Sequence, residues 1–79
     1  MERNEMIYET AKFFFIKDIS VHIKLKSNTW LNGIIKELPD TKDRLILEEE
    51  FFGEMPPIFF DTIEDDGIQK RMEKREVEK

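Results

Sequence analysis

The chain has 79 residues, enough for one domain, and at this length folding buries only about 60% of the surface of the unfolded chain. It contains no cysteine, which excludes disulfides and thiolate metal sites and gives no support for an oxidising compartment, so we expect a cytoplasmic protein. Its longest uninterrupted apolar run, residues 13–16, is far shorter than the roughly 20 residues of a membrane-spanning helix. We therefore expect a soluble protein with no membrane partner.

The net charge of −5 is distributed unevenly along the chain. Residues 31–66 contain three Lys/Arg and eleven Asp/Glu, whereas residues 1–30 and 67–79 are each slightly basic. An acidic surface repels phosphate, so non-specific nucleic-acid binding is not expected over the middle of the chain. The 39% content of charged residues, with Lys and Glu prominent, favours a heat-adapted, thermostable protein.

The first predicted element is a helix over residues 4–17, with Asn4 as its N-cap. Apolar residues recur there at spacings of three and four, which is typical of one buried helical face. This stripe consists of Ile7, Ala11, Phe14 and Phe15. The run 13–16 is wider than one face, so some of its side chains are expected to pack elsewhere, for instance on another subunit.

The cleanest periodic signal lies in residues 19–38. Apolar and polar side chains alternate strictly over residues 19–26, which is the period of a strand with one buried face. Ser27 and Asn28 supply a turn, after which a second β-rich run begins. A glycine inside a strand, here Gly33, usually marks a bend, a bulge or a close backbone approach. These residues therefore predict a β-hairpin whose second strand is strongly bent.

Three more short strands are predicted from β-rich runs separated by turn residues. They are residues 44–52, 58–60 and 63–68, with a tight turn at Asp61 and Thr62 between the last two. Five short strands behind a helix predict an all-β fold, a five-stranded bent antiparallel small barrel with an N-terminal helix. We assign this domain to residues 1–68 and expect residues 69–79 to be a charged tail, either a frayed helix or disordered.

The sequence contains no set of residues that predicts catalysis. His22 is the single histidine and lies on the polar face of the first strand, with no acid or nucleophile near it in a triad pattern. The acidic runs 48–50 and 64–66 lack the spacing of a calcium loop and are interpreted as solvated edges, with the far end of the third strand exposed. We predict a non-enzymatic protein with no catalytic residue, no metal site and no cofactor.

The aromatic residues allow two interpretations. Phe51, Phe52, Phe59 and Phe60 form either core and subunit contacts, which we favour, or a platform on which bases stack. Trp30 either caps one end of the barrel or is an exposed anchor, and the sequence does not decide between these.

A partly closed barrel leaves two strand edges that can pair with another chain. The fourth strand is apolar and contains no lysine, and its residues are the predicted oligomer contacts: Ile58, Phe59 and Phe60. Strands that join head to tail with a constant rotation close into a ring or grow into a fibre. We therefore predict a homo-oligomer.

Taken in order, a helix, a strand VHIKLK, a short turn, a strand centred on NGII, an Asp-bearing loop and a strand LIL resemble the Sm and like-Sm (LSm) family. The resemblance covers residues 5–68. The family's first motif has a Lys-containing strand, a glycine in the bent second strand, an apolar residue two positions later, an Asp and a following strand. In this chain these parts correspond to residues 21–26, Gly33, Ile35, Asp40 and residues 45–47.

The resemblance implies a ring of small barrels that binds uridine-rich single-stranded RNA. The residues that it implies for RNA contact are Asp40, Lys42, Arg44 and Asp61. This chain departs from the family where Arg44 takes the place of an Asn, and where Phe59 and Phe60 take the place of an Arg-Gly pair. Two functions therefore remain open: an Sm-like module that binds single-stranded RNA as a homo-oligomer, and a protein-interaction or assembly module with the same barrel but no RNA binding.

Overall fold

Most of the chain forms one antiparallel sheet, which an N-terminal helix covers. The structure is a computed structural model and describes residues 2–72. Over these residues one α-helix, α1, is followed by six strands, with a single 3-10 turn between the last two strands. The elements are α1 Arg3–Lys17, β1 Val21–Leu25, β2 Trp30–Glu37, β3 Arg44–Glu49, β4 Gly53–Glu54, β5 Ile58–Phe59, the 3-10 turn Phe60–Thr62, and β6 Ile63–Lys70.

The strands are ordered β4-β3-β2-β1-β6, and every pair is antiparallel. β5 pairs with the beginning of β3, on the same side of β3 as β4. The sheet is open: β6 forms one edge, and β4 and β5 form the other. The predicted antiparallel β fold with an N-terminal helix is confirmed, and the finer prediction of a five-stranded small barrel stays a prediction, since the sheet formed by the described residues is not closed.

The core lies between the bent sheet and α1, and it follows the predicted alternation. On β1, Val21 and Ile23 are fully buried, while His22 and Lys24 lie on the outer face. The helix contributes two buried side chains, Ile7 and Ala11. The largest fully buried side chains are Phe60, Ile23, Leu45, Leu47, Ile63 and Val21.

Gly33 lies in β2, between β1 and β3. It pairs with Val21 of β1 on one side and with Glu49 of β3 on the other. A Cβ added at Gly33 would press on the carbonyl oxygen of Glu48 and would lie 2.8 Å from that carbonyl carbon. The close approach of β3 to β2 therefore requires glycine here, as the interrupted strand pattern predicted.

Several boundaries differ from those predicted. The helix begins at Arg3 with Glu2 at the N-cap position, so Asn4 lies inside it, and no side chain caps it. β3 ends at Glu49, and the chain turns into the short strand β4, which the sequence did not predict. The last strand continues to Lys70, so the charged tail predicted from residue 69 begins inside the sheet, and its residues 73–79 lie outside the described part of the chain.

We expect Gly33→Ala to lower the free energy of unfolding by about 1–3 kcal/mol or more, because the new methyl group overpacks against rigid backbone. Gly53→Asn is the matched control. Gly53 has φ +78°, which Asn tolerates, and a Cβ there meets no atom within 4 Å. Urea unfolding of both variants at one protein concentration measures the difference. If both variants lowered the free energy of unfolding by the same amount, the close approach of β3 to Gly33 would be contradicted.

Candidate functional site

The loop before β3 and the 3-10 turn lie side by side. The backbone N–H of Phe60 donates to the carbonyl oxygen of Asp43 at 2.8 Å, and Arg44 pairs with Phe59 across β3 and β5. Asp61, which follows Phe60, and Asp40, at the start of the loop, are exposed. We call the four predicted RNA-contacting residues, Asp40, Lys42, Arg44 and Asp61, the loop rim.

Lys42 is directed toward the helix. Its Nζ lies 3.8 Å from a carboxylate oxygen of Glu5 and 5.2 Å from the ring centroid of Tyr8. The residue has φ +61°, a left-handed backbone conformation. The charge of Lys42 is therefore partly offset by an acid, although its side chain remains 39% exposed.

Arg44 is held by its neighbour in the sequence. Its Nη1 donates to Oδ1 of Asp43 at 2.9 Å, and the hydroxyl of Thr41 donates to the same oxygen at 2.7 Å. Both basic residues of the loop rim thus have an acidic partner. A phosphate group that binds here must compete with Glu5 and Asp43 for these two cations.

The three predicted oligomer contacts differ in exposure. Phe60 is fully buried and Ile58 is 7% exposed, so their side chains belong to the core of the single chain. Phe59 is 48% exposed and lies on β5, at the open edge of the sheet. Of the three, only Phe59 presents a side chain that another copy can contact.

A buried carboxylate, Glu49, holds the turn between β3 and β4. The backbone N–H groups of Phe51 and Phe52 donate to its Oε1 at 2.8 and 3.0 Å, and the N–H of Asn32 donates to its Oε2 at 3.2 Å. Burial acts to raise the pKa of Glu49, but these backbone hydrogen bonds and the positive charge of Arg71 together hold the pKa below its ordinary value of 4.5. Among residues 2–72, Glu49 is the single buried charged residue.

The prediction that the end of the third strand is exposed is therefore wrong at Glu49, although Glu48 and Glu50 are exposed. The signal that could have found Glu49 is the alternation itself. Leu45 and Leu47 point into the core, and the next residue on that face is Glu49. Glutamate is rarely buried, so composition alone predicts a surface position for Glu49 and its neighbours.

Of the two positions predicted for Trp30, the structure has the exposed one, on the outer face of β1 and β2. Its ring stacks on His22 with centroids 3.9 Å apart, and the Nζ of Lys24 lies 5.3 Å from the indole centroid. Nδ1 of His22 also hydrogen-bonds to the side-chain oxygen of Asn32. These residues form a polar and aromatic cluster on the outer face of β1 and β2, where the indole is 48% exposed.

Within residues 2–72, no three His, Asp or Glu side chains come together in an arrangement that could hold a metal ion. In that part of the chain there is also no helix that combines the length and the apolar character needed to cross a membrane. Comparisons with protein-family models, with curated proteins and with solved structures find no match to this chain.

We expect Glu49→Gln to destabilise the protein at pH 7 by about 1–3 kcal/mol, because the amide nitrogen of glutamine cannot accept the N–H of Asn32. The folded-state pKa of Glu49 is lowered, so its stabilising contribution is complete above the ordinary value of 4.5 and is lost as the pH falls through the folded-state pKa. The difference between wild type and variant should therefore vanish in acid.

Glu48→Gln is the matched control, since Glu48 is half exposed and makes a 3.4 Å ion pair with Lys36. Such a surface pair contributes only about 0–1 kcal/mol. Urea unfolding from pH 7 to pH 2.5 compares the three proteins. The role assigned to the Glu49 carboxylate would be refuted if Glu49→Gln lowered the free energy of unfolding no more than Glu48→Gln does. It would also be refuted if the effect of Glu49→Gln were the same in acid as at pH 7.

Proposed function

We propose that this chain is a non-enzymatic Sm-like module that assembles with copies of itself through the two edges of its sheet. The observation that carries this proposal is the open sheet itself, with β6 along one edge and β5, bearing the half-exposed Phe59, along the other. Each edge has backbone N–H and C=O groups that an additional strand can pair with. Because the two edges are different surfaces, pairing them joins copies head to tail, in a ring or a fibre.

A barrel-like curvature of the sheet supports the Sm-like part of the proposal. β5 and β6 lie on opposite edges, and a flat sheet would separate them by four strand spacings, about 19 Å. The chain crosses from Phe59 to Ile63 through only the three residues of the 3-10 turn, which span at most about 14 Å. The sheet must therefore curl so that its edges approach each other.

Binding of single-stranded RNA on the loop rim is the second part of the proposed function. Its support is the hydrogen bond between Phe60 and Asp43, which holds the loop before β3 against the 3-10 turn. Lys42 and Arg44 are half exposed there and can reach phosphates or base edges. The acidic partners Glu5 and Asp43 instead favour the alternative, an assembly module without RNA binding. Self-assembly is part of both functions, the module that binds RNA and the module that does not.

We expect Phe59→Lys to lower the mass of the particle in solution, because the lysine would bury an unpaired charge at the contact between edges. Light scattering at neutral pH measures this mass across a range of concentrations. Wild type should form a discrete multiple of 9.6 kDa. Phe13→Lys is the control, since Phe13 is similarly exposed, at 52%, but lies on the helix. A wild-type mass of 9.6 kDa at all concentrations would contradict self-assembly.

For RNA binding, we expect the double variant Lys42→Glu with Arg44→Glu to lower the affinity for a short oligo-U at least about tenfold at low salt, because two phosphate-directed cations become acids. Titration of oligo-U, oligo-A and a mixed strand at low and moderate salt measures this. The double variant Lys17→Glu with Lys36→Glu, at two exposed lysines outside the loop rim, is the charge-matched control. If wild type binds no strand even at low salt, the assembly module without RNA is the correct function.

A further inference from the structure

The face of α1 that meets the loop before β3 carries an aromatic ring with two lysines beside it. The Nζ of Lys12 lies 5.9 Å from the ring centroid of Tyr8, and the Nζ of Lys42 lies 5.2 Å from it. Tyr8 and Lys12 are four residues apart in the helix, so their side chains share one face. We call Tyr8, Lys12 and Lys42 the helix patch. Because Lys42 also belongs to the loop rim, the two form one continuous surface.

Lys12 differs from the two basic residues of the loop rim in its electrostatic surroundings. Lys42 and Arg44 are each held by an acid, Glu5 and Asp43. Lys12 is exposed, and its Nζ has no carboxylate oxygen of residues 2–72 within 4.0 Å. An anion that approaches Lys12 therefore displaces no acidic partner, which makes this lysine the more accessible cation of the continuous surface.

The ring of Tyr8 is half-buried and packs against the hydrophobic core. A ring that the fold already holds in place loses little conformational entropy when a ligand contacts it. Proteins that bind single strands combine aromatic rings, on which bases stack, with cations that follow the phosphates. The helix patch has both components: a fixed ring, and a lysine on each of the two segments that flank it.

We propose that a single strand of RNA bound at the loop rim continues onto α1, where one base stacks on Tyr8 and the phosphates beside it meet Lys42 and Lys12. This inference rests on the RNA binding proposed above and adds Tyr8 and Lys12 to the binding surface. The lysine side chains are flexible enough to swing from the ring to the phosphates as the base arrives. The strand replaces Glu5 at Lys42, and an exposed ion pair of this kind is weak enough to be exchanged.

Removing the charge of Lys12 tests the phosphate contact. We expect Lys12→Met to weaken binding of a short oligo-U at least about threefold at low salt, and to reduce the slope of log K against log salt by about 0.7, the value for one phosphate contact on a single strand. Lys17→Met is the matched control, because Lys17 is an exposed lysine of the same helix whose Nζ also lies near an aromatic ring, 5.3 Å from the centroid of Phe13. A salt slope that is the same in the two variants would overturn the proposal.

Tyr8 is the single tyrosine of the chain, so incorporated fluorotyrosine labels this position alone. We expect the fluorine NMR resonance of the wild-type sequence to shift on addition of oligo-U, with the same midpoint as the binding titration. Sodium phosphate at equal ionic strength supplies anions without bases and should leave the resonance in place. An unshifted resonance in a protein that binds oligo-U, or an equal shift with phosphate alone, would overturn stacking on Tyr8 and leave RNA binding at the loop rim intact.

Variants at Tyr8 itself complete the test. Tyr8→Phe keeps the ring and should bind oligo-U as wild type does, whereas Tyr8→Leu should weaken binding at least about fivefold, the smaller end of the effect of losing one base stack. Urea unfolding checks that both variants are folded, and the fluorine measurement decides the question if Tyr8→Leu is not. Wild-type affinity in a folded Tyr8→Leu variant would overturn this inference alone. If wild type binds no strand even at low salt, the inference fails together with the RNA binding on which it rests.

Discussion

The fold depends on the short crossing at Phe60–Thr62, where the chain passes from one edge of the sheet to the other. Phe60 fills the core, and Arg3 of the helix donates to the carbonyl oxygens of both Phe60 and Ile63. The N–H of Lys26 donates to the carbonyl of Thr62 at 2.7 Å. Backbone groups in a crossing this tight must be paired, and here the helix and the hairpin supply the partners. The helix, the hairpin and both sheet edges are thereby fixed relative to one another.

Local patterns in the sequence were sufficient to predict the hairpin. The alternation over β1 assigned Val21 and Ile23 to the core, and Asn28 has the positive φ that its place in the turn implied, +72°. A close backbone approach at residue 33 was one of the three possibilities that a glycine inside a strand indicates, and here any Cβ would collide with the backbone of Glu48. The first strand, the turn and the glycine in β2 each depend on residues close together in the sequence, or on one residue with unusual backbone properties.

The errors occurred where distant contacts decide the structure. Phe60 was predicted as an oligomer contact at the end of an edge strand, but its ring is fully buried in the core, where a large aromatic side chain gains the free energy of leaving water. Glu49 was assigned to the surface by composition, yet three backbone N–H groups offset the cost of burying its charge. Similarly, nothing near Lys42 in the sequence pointed to Glu5 as its partner.

The turn between β3 and β4 and the proposed pairing of sheet edges respond differently to pH. The carboxylate of Glu49 accepts the backbone N–H groups of Phe51 and Phe52, and protonation weakens this acceptor. Because the pKa of Glu49 is held below its ordinary value of 4.5, the turn keeps this support above that value and loses it as the pH falls through the folded-state pKa. Edge pairing is head to tail and relies on backbone N–H and C=O groups that do not titrate, so acid acts on the turn inside each copy and not on the pairing itself.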